Sequence, residues 1–137
     1  MTRYLLDTNI VSDIVRHPQG VISHAIEAVG ENRIWTSIVV ASELRFGACK
    51  KGSEKLTAQL EAILDRMTVL PLDRPVDFHY GQIRTELETK GTVIGANDLL
   101  IAAHALAMQA ILITDNEREF RRVPGLTVEN WLQGAPR

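Results

Sequence analysis

A chain of 137 residues with a net charge of −2 and a pI near 6.1 has the length of one domain, residues 1–137, and can bury a core without staples. Hydrophobic residues at 45% and charged residues at 23% exclude a disordered or fibrous chain, and the slight acidity means that any nucleic-acid contact has to be local. The single cysteine, Cys49, excludes an internal disulfide. That fits a cytoplasmic setting, with Cys49 expected as a small buried apolar residue. No segment approaches the roughly 18 apolar residues of a membrane span, and Asp7 interrupts the first apolar run too early for a signal peptide.

Short apolar runs alternate with helical periodicity, the pattern of an α/β domain with a parallel sheet. Tyr4–Leu6 reads as a buried strand, and residues 9–16 as a helix stopped near Pro18 and Gly20. Val21–Val29 is a second helix ending at Gly30, and residues 33–36 form the second strand. Residues 38–50 are helical. Ser53 caps a further helix running to about Met67. The third strand spans 68–72, and Pro75 opens a helix that runs to Lys90 and stops at Gly91. The almost wholly apolar helix 98–108 leads to a fourth strand at 110–114. A short acidic-basic turn at 115–122 and a last edge strand at 126–128 complete the pattern.

Four acids adjoin apolar segments. Asp7 and Asp115 each follow a strand, where ligands collect in an open parallel sheet. Each also suits a helix cap or a turn. Asp98 enters the most hydrophobic helix in its first turn, where the helix dipole favours the ionised form, and Asn97 beside it is a competing cap. Glu43 sits in a mostly apolar helix and needs a partner there, either a salt bridge to Arg45 or Arg84 or a shared cation. Four converging carboxylates repel one another unless a cation lies between them, and an all-oxygen donor set selects a hard divalent ion, Mg²⁺ or Mn²⁺. His17, His24, His79 and His104 are too scattered for zinc, and His104 on an apolar helix is expected as a satisfied core residue. There is no Gly-rich phosphate loop and no Gly-x-Ser-x-Gly turn.

The ordered set Leu5-Leu6-Asp7-Thr8-Asn9, Ser42-Glu43-Leu44 with Gly47, Asp98 to Ala105, and Thr114-Asp115-Asn116 with Glu119-Phe120 resembles the motifs of PIN domains. Within them it is most similar to the VapC toxins of bacterial toxin–antitoxin pairs, and the likeness covers essentially the whole chain. The resemblance implies a three-layer α/β fold, a central parallel sheet with helices on both faces, acting as a homodimer. It implies Mg²⁺-dependent endoribonuclease activity, with Mn²⁺ as a substitute. Asp7 and Asp98 would be the primary metal ligands and Glu43 and Asp115 the supporting acids. Thr8, Asn9 and Thr114 would hold those carboxylates in place. The implied partner is a small VapB-like antitoxin that blocks the site and binds promoter DNA on behalf of the pair. The stretch Gln82-Ile83-Arg84-Thr85-Glu86-Leu87, with residues 95–105, resembles members that cut initiator tRNA in its anticodon loop. An acidic cleft suits an arginine from the antitoxin, with Val39, Leu44 and Phe46 receiving its apolar tail. Arg84, Lys50, Lys51, Arg118, Arg121 and Arg122 are the candidate RNA contacts.

Other readings stay open. One is a PIN-domain RNA-processing nuclease outside any toxin pair, and another is a DNA or flap nuclease, which usually has more acids and a longer chain. The last is a non-enzymatic regulatory domain with an acidic pocket. That domain calls for a lysine after a late strand, and none lies beyond Lys90.

Overall fold

The computed structural model describes residues 1–134. Five parallel strands form one sheet: β1 (Tyr4–Leu6), β2 (Ile34–Ser37), β3 (Thr68–Leu70), β4 (Ile111–Ile113) and β5 (Val128–Glu129), in the order β3-β2-β1-β4-β5. Leu5 pairs with Trp35 on one side and Leu112 on the other, so β1 is central. Its three residues are buried, as expected of a strand covered on both faces. The helices are α1 (Thr8–Arg16), α2 (Val21–Val29), α3 (Ile38–Lys51), α4 (Glu54–Asp65), α5 (Val76–Thr89), α6 (Ala96–Ala107) and α7 (Glu117–Phe120). Right-handed crossovers place α1 to α4 on one face and α5 and α6 on the other. This is the three-layer arrangement that the family resemblance implies, on the parallel sheet that the sequence pattern implies.

From β1 the chain winds outward through β2 to β3, then returns across the sheet to β4 and β5 on the opposite side. The direction therefore switches between β1 and β4, and a crevice opens beyond their carboxyl ends. Leu5, Leu6, Ile10, Ile101, Leu112, Ile113 and Phe120 fill the main core beneath it. A smaller cluster of Val15, Ala41, Ala48, Leu60 and Leu64 locks α1, α3 and α4 together.

Several local expectations shift. The last helix before β4 starts at Ala96, with Gly95 in the cap position, so Asn97 lies inside its first turn rather than capping it. Helix α4 ends at Asp65, and β3 stops at Leu70 before Pro71, whose missing N–H cannot extend a ladder. The turn at 115–122 contains the single-turn helix α7. Cys49 is exposed rather than buried. His104 is buried, its Nδ1 2.8 Å from Ser37 Oγ, but its Nε2 has no partner, so it is only half satisfied.

Candidate active site

The crevice at the switch point is built from side chains that also hold the helix ends. Asp7 is 4% exposed and occupies both roles the sequence allows. It caps α1, its Oδ1 accepting from the Thr8 backbone N–H at 2.8 Å, and its Oδ2 accepts from Thr114 Oγ1 at 2.6 Å across the β1–β4 seam. Burial raises the Asp7 pKa above its ordinary value. The bonds from Thr114 and the Thr8 N–H oppose that rise, and the Glu43 charge adds to it.

Glu43 stands on the second turn of α3 and is half-exposed. Among the described residues it forms no salt bridge: Arg45 pairs with Glu61 and Arg84 with Glu88. Thr8 Oγ1 instead donates to Glu43 Oε1 at 2.5 Å, and Asn97 Nδ2 lies 3.4 Å from Oε2. Glu43 is thus suspended between α1 and α6.

Asp98, in the first turn of α6, has its pKa pushed up to about 7. Burial is the largest cause, followed by the Asp7 charge, a hydrogen bond with Glu119, and the charges of Glu119 and Glu43. The helix dipole favours the ionised form, but desolvation and three acidic neighbours outweigh that partial charge.

Asp115 takes a different position. It is exposed, its carboxylate accepts from Asn130 Nδ2 at 3.0 Å, and only its backbone reaches the site residues, donating to Asn9 Oδ1 at 3.2 Å. The acid that meets Asp98 is Glu119, which also accepts from Asn116 Nδ2 at 3.0 Å. A signal for Glu119 lies in the sequence: it precedes Phe120, the largest fully buried side chain, so anchoring Phe120 fixes the residue before it at the crevice. Asn116 belongs to the same network, its backbone N–H donating to Thr114 Oγ1 at 2.9 Å.

A cleft of about 460 Å³ leads away from these acids between α1 and α3, with Leu56 and Leu60 of α4 along it. Of the expected basic residues only Lys51 lines it. Arg16, which the sequence reading passed over, does too. Arg121 pairs with Glu117, and Arg122 reaches the Val93 carbonyl at 3.3 Å. Of the expected apolar lining, Leu44 is present, but Val39 is buried in the core and Phe46 is exposed outside the cleft.

The donor chemistry fits a hard divalent cation: Asp7, Glu43, Asp98 and Glu119 offer only oxygens, and their mutual repulsion is already visible at Asp98. Among the described residues no three acids yet close round one coordination point, Glu43 being turned to Thr8 and Glu119 to Asn116.

The comparisons give a family to this parallel sheet with an acidic crevice at its switch point. The PIN-domain family model matches residues 4–126, so the chain belongs to the PIN-domain family. Among characterised relatives it is similar to Ribonuclease VapC2 of Rickettsia felis, 43% identical over 93% of this chain and 97% of that protein. It is similar too to the tRNA(fMet)-specific endonuclease VapC of Salmonella typhimurium, 35% identical over 96% of this chain and 99% of that one. The crystal structure of Rickettsia felis VapBC2 bound to a fragment of its promoter DNA superimposes with a TM-score of 0.89 at 39% identity, covering 95% of this chain and 99% of that one. The relatives at this level are VapC ribonucleases.

Proposed function

We propose that this chain is the VapC ribonuclease toxin of a VapBC pair, cutting RNA with Mg²⁺ or Mn²⁺ held by Asp7 and Asp98 and supported by Glu43 and Glu119. The observation that carries this reading is the meeting of Asp7, Glu43, Asp98 and Glu119 at one crevice, where burial first and the neighbouring carboxylates after it push the Asp98 pKa to about 7. Asp115 then serves from outside, fixing the β4–α7 loop through Asn9 and Asn130. A divalent cation held there supplies positive charge against the phosphate and lowers the pKa of water. Thr114 and Thr8 fix the two oxygens of Asp7, and Thr8 also fixes Glu43, so these carboxylates need little reorganisation. Glu43, reached only by neutral donors and half-exposed, is the carboxylate placed to take a proton from an attacking water. Products with a 5′-phosphate and a 3′-hydroxyl follow from that attack.

The relative from Salmonella typhimurium is named for tRNA(fMet), and we infer the same initiator tRNA as the target here. The structures of VapBC complexes, some on DNA, support a VapB-like antitoxin as partner, with promoter DNA bound through it, and we propose a homodimer as the working unit. No helix among the described residues is long and apolar enough to cross a membrane, in keeping with action on RNA in the cytoplasm.

The test is cleavage of tRNA by the purified protein, with and without EDTA. Asp98→Asn should lose roughly 10³-fold or more in rate, several kcal/mol of charge stabilisation. Full activity of that variant in Mg²⁺ would overturn the assignment.

A further inference from the structure

The carboxylates occupy only one end of the cleft. At the other end stand two cations, and the helices bring them there by the same count. Thr8 and Glu43 are hydrogen-bonded, so α1 and α3 lie side by side at that level. Below it, Thr8, Ser12 and Arg16 follow one face of α1 at steps of four residues, and Glu43, Gly47 and Lys51 follow one face of α3 in the same steps. All six line the cleft.

We propose that Arg16 and Lys51 together bind a backbone phosphate of the RNA, about 12 Å along the cleft from the cleavage site, eight helical residues below Thr8 and Glu43. This deepens the ribonuclease reading and rests on it.

The charges are available. Arg45, Arg66, Arg84, Lys90 and Arg121 each pair with a carboxylate, whereas among the described residues neither Arg16 nor Lys51 has one within ion-pair distance. Helix C-termini favour cations, which accounts for a basic residue at the end of each helix. It does not account for both facing the same cleft. Midway, Gly47 leaves the α3 wall without a side chain, and a Cβ built there meets nothing within 4 Å. The cleft is therefore open between its ends, and its partly exposed apolar lining at Leu44 and Leu56 is where base and sugar surfaces can rest. A phosphodiester chain, charged at every nucleotide, meets a divalent cation at the acidic end and side-chain cations at the other.

The probe is a fluorescent single-stranded RNA 12-mer of mixed sequence, titrated by anisotropy in Mg²⁺ against protein carrying Asp98→Asn to prevent cleavage. Arg16→Gln and Lys51→Gln, which keep long polar side chains, should each weaken binding about 3- to 10-fold and reduce the salt slope by about 0.7. In protein with Asp98 intact the loss should fall on KM. Lys50→Gln, next door but outside the cleft, should keep the parent slope. A single methylphosphonate moved along the RNA should weaken binding at one linkage, and the double variant should then show no further loss there. A double variant that keeps the parent affinity and salt slope, or that loses no more than Lys50→Gln, overturns the subsite while leaving the ribonuclease reading intact. A parent protein that neither cleaves tRNA nor binds the 12-mer overturns both.

Discussion

The Asp98 carboxyl ionises near pH 7 in the folded protein and near its ordinary 3.8 once the chain unfolds, because burial and the charges of Asp7, Glu119 and Glu43 all oppose the anion. Between those values the native state holds a proton that the unfolded state has released. This contribution to stability is therefore complete below about pH 4, declines as pH rises through about 7, and is gone above that. Asn at position 98 removes the titration. Metal-free Asp98→Asn should be more stable than the parent by about 1–2 kcal/mol at pH 8, solvent reaching half of the carboxyl and screening the rest, with the difference shrinking toward pH 4. Calorimetric melting in EDTA across that range checks it, and a difference that does not change with pH would dismiss the crowding. Adding Mg²⁺ or Mn²⁺ at pH 8 should raise the Tm of the parent and leave Asp98→Asn nearly unmoved, since a cation that binds only the native site stabilises only a protein that can hold it.

At the level of elements, the caps of α3 and α4 offer a controlled comparison. Ser53 accepts from the Leu56 N–H at 3.1 Å on a half-buried turn, and Ser53→Ala should cost about 1 kcal/mol. Ser37 accepts from the Val39 N–H at 3.1 Å and is also the partner of buried His104. Ser37→Ala should therefore cost about 2–4 kcal/mol, the cap plus the orphaning of a buried ring nitrogen. Urea unfolding of the two variants measures this, and equal losses would mean that the Ser37–His104 bond contributes nothing. The same elements show what a reader of the sequence can reach. Strongly punctuated helices such as α2 and α4 are legible at their starts because Gly20 and Ser53 leave the chain no better option. The end of α4 at Asp65 and the start of α6 at Ala96 are less so, since fraying and cap choice depend on neighbours from other elements. Asp7, Glu43 and Asp98 are visible as acids against apolar surroundings. Glu119 is legible only through its apolar neighbour Phe120, because a four-residue helix has too little periodicity to reveal which side it presents. Asp115 follows its strand as Asp7 does, but the turn after β4 directs it to Asn130. Arg16 is hidden for a different reason: its position opposite Lys51 exists only once α1 and α3 are packed.

For the whole molecule, expression alone should arrest growth, and co-expression of the cognate antitoxin should restore it. Normal growth with abundant soluble protein would argue strongly against a toxin. If the antitoxin places an arginine among Asp7, Glu43 and Asp98, it competes with Mg²⁺ for the same charges. Inhibition titrated at constant ionic strength should then weaken as Mg²⁺ rises, and an inhibition constant indifferent to Mg²⁺ would point to a block away from the acids. The order in which the site comes together has its own consequence. Thr114 reaches Asp7 across 107 positions, and β4 supplies the strand beside β1. A chain growing on the ribosome carries Asp7, Thr8 and Glu43 with no crevice to hold them until β4 has been made and can pair with β1. The exit tunnel retains the most recently made residues, so Thr114 and Glu119 join the site only well after Asp7, Thr8 and Glu43 have emerged. Chains that stop before β4 lack both the strand beside β1 and the Thr114 hydroxyl that holds Asp7, so they carry the first acids without the completed site.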